Sequence, residues 1–91
     1  MSVVHAAPGD DIARIVRAAS GESLVVVIEP GRDPLSAASV EASIAPLAVE
    51  RAPGMRVNAV VGDGAVADVA AMAGFLDTAA STTGQVVRVD G

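Results

Sequence analysis

The chain has 91 residues and a formal net charge of −5, so it is one small acidic domain with a limited core. Its six cationic residues are all arginines scattered along the sequence, which argues against a basic surface for nucleic acids or anionic membranes. There is no cysteine, and no basic segment followed by an apolar run opens the sequence, so we expect a cytoplasmic protein without disulfides, zinc–thiolate sites or thiol catalysis.

The first predicted elements are two strands separated by a short helix. Residues 2–7 (SVVHAA) form an apolar run that ends at a Pro-Gly pair, which predicts a strand. Asp10 or Asp11 then caps a helix over residues 12–19, where apolar residues recur at helical spacing. Residues 23–29 (SLVVVIE) contain an unbroken apolar run at 24–28, which predicts a strand buried on both faces, as in a parallel sheet.

A long helix, a strand, a further helix and a last strand follow. Asp33 stands before a proline, and the two residues predict the start of a helix over residues 34–52. Residues 56–61 (RVNAVV) predict the third strand, and residues 66–79 predict the third helix. Residues 85–90 (QVVRVD) alternate in polarity, which predicts a half-exposed strand at the edge of the sheet.

This βαβαβαβ order, with its short connections, predicts an α/β fold in which three helices pack on a four-stranded parallel sheet. Right-handed crossovers alone would place all three helices on one face of that sheet. Because the second and third strands are apolar on both faces, either one crossover departs from this rule or a partner covers the bare face.

Four segments resemble the C-terminal half of the short-chain dehydrogenase/reductase family. They are LAVERAPGMRVNAV (47–60), FLDTAASTTGQVVRVDG (75–91), VVHAAPG (3–9), which has the form seen in ketoacyl-type reductase domains, and SLVVVIEP (23–30). The resemblance implies a Rossmann-like three-layer sandwich with neighbouring strands in chain order, and it makes residues 1–91 one truncated domain. It also implies a left-handed last crossover, which would place the third helix on the opposite face from the other two.

The catalytic parts of that family are missing from this sequence. The family's glycine-rich cofactor loop has no counterpart, and the chain contains neither tyrosine nor lysine, which are the family's proton donor and the cation that lowers its pKa. The corresponding region, residues 33–39, has the sequence DPLSAAS. We therefore expect a non-catalytic pseudoenzyme, and no active-site residue of the family is transferred to this chain.

The parts that this family uses for assembly are retained. In the family the long helix contributes to a four-helix bundle between subunits, and the last strand pairs with another subunit. Small residues on the long helix and residues of the edge strand match these roles. They are Ser36, Ser39, Ser43, Pro46, Val86 and Arg88. The predicted partner is a second copy of the chain or a full-length ketoacyl-type reductase, and neither nucleic acid nor a membrane is expected.

A second class of function is a small nucleotide- or acyl-CoA-binding protein that uses the carboxyl edge of the sheet. Residues 62–67 (GDGAVA) fit the pattern G-x-G-x-x-A between a strand and a helix. Gly62, Gly64 and Asp90, the last as a ribose-binding acid, are the candidate residues for NAD or NADP. Against this, Asp63 would place a negative charge beside the pyrophosphate, and two glycines suit any tight turn. The expectation is therefore no cofactor.

The remaining candidates have simpler interpretations. His5 is the only histidine, and without a second histidine or a cysteine it is expected to be a packed side chain rather than a metal ligand. Asp10, Asp11 and Asp63, together with Glu29 or Asp33, could form a paired-carboxylate or Mg²⁺ site at the carboxyl edge, but acids that follow strands ordinarily cap helix N-termini. A third interpretation is that the chain is a truncated relic or a fragment with no function of its own.

Overall fold

Four strands alternate with three helices in residues 2–63 and 65–90, the part of the chain that the computed structural model describes, with Asp63 described by its backbone alone. The elements are β1 (Val3–Ala6), α1 (Ile12–Ala18), β2 (Ser23–Ile28), α2 (Pro34–Arg51), β3 (Arg56–Asp63), α3 (Val66–Thr78) and β4 (Val86–Asp90). The predicted order of elements is confirmed, and each element ends within two residues of its predicted limit.

The strands form one parallel sheet in the order β1-β2-β3-β4. β2 and β3 therefore lie in the middle, and β1 and β4 are the edges. β3 runs two residues past its predicted end, because the backbones of Gly62 and Asp63 pair with Val89 and Asp90 of β4. The predicted fold class, an α/β Rossmann-like parallel sheet in chain order, is confirmed.

Two separate hydrophobic clusters cover the two faces of this sheet. Along β2, Leu24, Val26 and Ile28 belong to the cluster formed with α1 and α2, whereas Val25 and Val27 belong to the cluster formed with α3. Successive side chains of a strand point to opposite faces, so β2 is apolar from Leu24 to Ile28 because both of its faces are buried. The predicted burial of this strand on both sides is confirmed.

The helices make the fold a three-layer sandwich, with α1 and α2 on one face and α3 on the other. All three crossovers step by one strand in the same direction, so the crossover through α3 has the opposite hand to the other two. Right-handed crossovers are the general rule. The position of α3 is the one that the family resemblance implied, and no partner is needed to cover the central strands.

Aspartates begin the first two helices. The Asp11 carboxylate accepts a hydrogen bond from the Arg14 N–H at 3.2 Å, and the Asp33 carboxylate accepts one from the Ser36 N–H at 3.0 Å. Pro34 follows as the first residue of α2, where its missing N–H costs no helical hydrogen bond. The interpretation of these two acids as helix caps is confirmed.

Arginines close the C-terminal ends of two helices. Nη2 of Arg51 donates to the carbonyl of Ala19, the residue that ends α1, at 2.8 Å. Nη1 of Arg56 donates to the carbonyl of Ala79 at 2.7 Å, and Nη2 donates to the carbonyl of Asp77 at 3.3 Å. A guanidinium placed there satisfies carbonyls that the helix leaves free and lies at the negative end of the helix dipole.

A buried asparagine attaches the loop before β4 to β3. Nδ2 of Asn58 donates to the carbonyl of Thr82 at 2.9 Å, and Oδ1 accepts from the N–H of Gln85 at 3.1 Å. The Thr83 hydroxyl also accepts a hydrogen bond from the N–H of Val57 at 3.0 Å. Both polar ends of the buried amide are paired, and they fix the start of β4 beside β3.

We expect Asn58→Ala to lower the free energy of unfolding by about 2–3 kcal/mol, because two backbone groups lose their partner. Urea denaturation followed by circular dichroism measures the change. Gln85→Ala is the matched control, since only the backbone of Gln85 takes part in these bonds, and it should change the stability by less than ~0.5 kcal/mol. Equal losses for the two variants would contradict the role assigned to Asn58.

The loops that follow β1 and β2 touch at Gly31. Its φ is +121°, which residues with a side chain rarely adopt, and an added Cβ would lie 2.9 Å from Cγ of Pro8. Glycine at this position therefore lets the two loops lie against each other at the carboxyl edge of the sheet.

Gly31→Ala should lower the free energy of unfolding by about 1–3 kcal/mol through backbone strain and the contact with Pro8. In thermal denaturation this corresponds to a fall in Tm of roughly 4 °C or more. Gly9→Ala is the control, because Gly9 has no positive φ and nothing lies within 4 Å of an added Cβ. A Gly31→Ala protein as stable as Gly9→Ala would show that the loop has no such requirement.

Candidate functional site

The only histidine of the chain lies beside a carboxylate at the carboxyl edge of the sheet, where open α/β sheets ordinarily bind ligands. Nδ1 of His5 is 3.5 Å from Oε2 of Glu29, and the two side chains are 62% and 44% exposed. His5 is in register with Val27, and Glu29 lies two residues further along, on the same face of the sheet. Sequence analysis did not predict this pair, since the pairing depends on the register between β1 and β2.

The other acids at this edge hold loops and helices in place. Oδ2 of Asp10 accepts a hydrogen bond from the N–H of Ala7 at 2.8 Å, and Nη2 of Arg32 donates to the carbonyls of both residues at 2.9 and 3.0 Å. Asp11 and Asp33 are the helix caps described above. Among the described residues, no group of three or more histidine or acidic side chains is placed to hold a metal ion.

The candidate dinucleotide loop has a packing explanation. Gly62 lies inside β3, opposite Val89, and a Cβ added there would lie 3.3 Å from Cγ1 of Val69 on α3. Gly64 lies outside the described residues, and Asp90 is the exposed last residue of β4. The approach of α3 to β3 therefore accounts for the glycine at position 62.

The longest helix carries an exposed stripe without a charged side chain, which we name the α2 stripe. It covers about a third of the helix circumference. Its members are Leu35, Ala38, Ser39, Ala42, Ala45, Pro46 and Val49. The two largest lie about four turns apart and are among the most exposed apolar residues of the protein, with Leu35 at 78% and Val49 at 76%.

The charged residues of α2 point away from this stripe. Glu41 accepts a hydrogen bond from Nη2 of Arg88 at 2.8 Å, and Glu50 accepts one from Nε of Arg17 at 3.0 Å. The hydrogen bonds and negative charge of Glu50 raise the pKa of Arg17. Arg51 donates to the end of α1. Each charge of α2 therefore has a partner on a neighbouring element.

The interface residues predicted on α2 divide into two groups. Ser39 and Pro46 are exposed members of the α2 stripe, whereas Ser36 and Ser43 are half-buried along its border. The Ser43 hydroxyl donates to the carbonyl of Val40 at 2.6 Å. Two of the four predicted residues therefore lie on the α2 stripe, whereas Leu35 and Val49 at its two ends were not among the predicted interface residues.

The interface residues predicted on β4 also differ in their surroundings. Val86 is half-buried and packs against the cluster on the α1 and α2 side of the sheet. Arg88 is exposed and connects β4 to α2 through Glu41. The outer backbone edge of β4 remains the surface that a further strand could pair with.

The helices give no sign of a membrane span. Among the described residues, no helix combines the length and the apolar character that crossing a bilayer requires.

Comparison with known proteins identifies a family. Curated proteins and solved structures give no match to the chain. A family model described as short chain dehydrogenase-like protein matches residues 3–89, which include residues of all seven elements. This match agrees with the resemblance carried by residues 47–60 and 75–91. The chain therefore belongs to the short chain dehydrogenase-like protein family.

Proposed function

We propose that this chain is a non-catalytic, reductase-related module that associates with a second copy of itself through the α2 stripe. One observation carries the proposal: the α2 stripe has no charged side chain and has a large exposed apolar residue at each end. A surface of this kind is typical of a contact between proteins.

The distribution of charged residues favours the α2 stripe over the other surfaces of the protein as the contact between two copies. Each copy has a net charge of −5, so contacts that bring acidic residues together are repulsive. The two acids of α2 are paired with Arg17 and Arg88, and both pairs lie outside the stripe. Two copies that meet along the α2 stripe therefore bring no unpaired carboxylate of this helix together.

The residues of the stripe are arranged almost symmetrically about Ala42. Equidistant pairs around this centre are Leu35 and Val49, Ala38 and Pro46, and Ser39 and Ala45. Two antiparallel copies of α2 related by a twofold axis at Ala42 would bring the large residues together at both ends and the small residues together in the middle. Small residues at the crossing point allow two helices to approach closely.

The expected association is reversible. The 18 residues of α2 form a helix about 27 Å long, and one pair of such helices buries less than the ~800 Å² per partner of a standard stable interface. We therefore expect a micromolar dissociation constant. The free backbone edge of β4 supplies a second contact surface, of the kind predicted for residues 85–90.

The absence of tyrosine and lysine from the chain supports a non-catalytic role. These residues are the proton donor and the cation that the family resemblance assigns to an active reductase. The corresponding segment, 33–39, supplies a helix cap at Asp33 and three members of the α2 stripe, Leu35, Ala38 and Ser39. Its one titratable side chain, that of Asp33, is engaged as the helix cap.

A full-length ketoacyl-type reductase is the alternative partner. Such a protein would pair with the α2 stripe if it presents a helix with the same succession of large and small residues. Mixing the chain with a purified reductase of this class, before light scattering, distinguishes a mixed complex from self-association.

We expect Ala42→Glu to convert a dimer into a monomer, because two carboxylates would meet at the twofold axis. Light scattering at tens of micromolar protein measures the molar mass, which for one chain is 9.0 kDa. The control is Ala71→Glu, which makes the same change at an exposed position of α3 and should leave the dimer intact. A wild-type chain that is monomeric at this concentration and ignores the reductase would refute the proposal.

NAD(H), NADP(H) and CoA esters should leave the Tm of the chain unchanged, because Gly62 is explained by helix packing and acids surround the carboxyl edge. Thermal denaturation is a sensitive measurement, since a ligand at 100 times its dissociation constant adds about 2.7 kcal/mol of stability. A clear rise in Tm with any of these compounds would favour the alternative function, a nucleotide- or acyl-CoA-binding protein.

A further inference from the structure

A cavity of about 430 Å³ lies beside α3, on the face of the sheet opposite to the α2 stripe. Its walls are largely apolar and include Val3, Val27, Val69 and Ala73. The volume is in the range of small-molecule sites, which are ordinarily apolar clefts with a few polar groups.

The cavity exists because α3 carries small residues where it faces the first strand. Ala70, Ala73 and Gly74 line this side of the helix, and α3 packs mainly on β2 and β3. The face of β1 is consequently less covered, and Val3 remains half-buried. Two of the residues that line the space, His5 and Glu29 at the carboxyl end of β1 and β2, have side chains 62% and 44% exposed to solvent.

A carboxylate lies at this exposed end of the cavity. Glu29 is the acidic side chain among the described residues that line the cavity, and His5 lies 3.5 Å from it. The ion pairs that arginines make within the described residues involve Glu41 and Glu50 instead. The Glu29 carboxylate is therefore available to a ligand at the open end of an apolar space.

We propose that this cavity binds a small primary ammonium compound with an apolar body. The apolar body lies against the valines and alanines, and the ammonium group donates to the Glu29 carboxylate. A hydrogen bond between two charged groups is stronger than one between neutral groups, and the adjoining apolar wall strengthens it further. The net charge of −5 attracts cations and repels carboxylates and phosphates.

This site is independent of the proposed self-association, because the sheet separates the cavity from α2. It also differs from the nucleotide and acyl-CoA alternative. No arginine is among the described residues that line the cavity, so the phosphates of those compounds would have no guanidinium partner there.

The test uses three probes that share a six-carbon chain and differ in their polar end group: hexylamine, 1-hexanol and hexanoate. Each is titrated into the ¹⁵N-labelled protein, and the backbone amide shifts are followed by NMR. We expect hexylamine to shift the amides of Val27, Gly62 and Ala73, 1-hexanol to shift the same amides with lower affinity, and hexanoate to have no effect. Hexanoate binding as tightly as hexylamine, or shifts confined to α2, would overturn the proposal.

Glu29→Gln isolates the charge at the mouth of the cavity. We expect hexylamine to bind about fivefold to tenfold more weakly and 1-hexanol to bind within about twofold of the wild-type affinity. Glu22→Gln is the matched control, since it makes the same change in net charge at an exposed position before β2, at the other end of the sheet. Unchanged hexylamine binding by Glu29→Gln would refute the role of the carboxylate.

Gly74→Leu fills the cavity. An added Cβ at this position has nothing within 4 Å, and leucine favours a helix interior more than glycine does, so the variant should fold with an unchanged or higher Tm. It should lose binding of both hexylamine and 1-hexanol. Retained binding by the folded variant would show that the probes lie elsewhere. Ala42→Glu should bind hexylamine normally, which separates this result from any failure of self-association.

Discussion

The complete burial of β2 between two layers of helices is the constraint on which the rest of the structure depends. A parallel strand that is apolar on both faces requires cover on both sides. Two helices cover one face, and α3 alone covers the other. α3 packs mainly on β2 and β3, so the face of β1 is less covered, and a cavity whose lining includes His5 and Glu29 lies there.

On the opposite face of the sheet, the packing of α2 produces the exposed, uncharged α2 stripe. α2 packs its apolar side on the sheet, and its charged residues reach sideways to α1 and β4. These pairings connect the helix to its neighbours, and they leave the outward surface of α2 uncharged. The α2 stripe is therefore a product of how the helix is attached to the domain, as well as of its small residues.

Much of the fold could be predicted from local signals. The unbroken apolar run at 24–28 predicted a doubly buried strand, and Asp33 before a proline predicted where α2 begins. The position of α3 could not be predicted in this way, since the usual handedness of crossovers gives the other face. Only the resemblance to a known family pointed to the observed arrangement.

The candidate sites were less predictable. Helical spacing places Ile44 and Leu47 on the core side of α2, and both are buried, but the sequence did not show whether Leu35 and Val49 are covered or exposed. The choice depends on how the helix rests on β3. The pair formed by His5 and Glu29 likewise depends on strand register, which follows from the whole sheet.

The arginines that close helix ends have a consequence for the response of the protein to dissolved salt. Arg51 and Arg56 donate to peptide carbonyls, which carry no net charge for ions in solution to screen. Salt weakens attraction between exposed ions, such as Arg17 and Glu50, but it equally weakens the mutual repulsion of the 11 acidic residues. A domain whose helix ends are held by hydrogen bonds to carbonyls should therefore stay folded at high salt concentration.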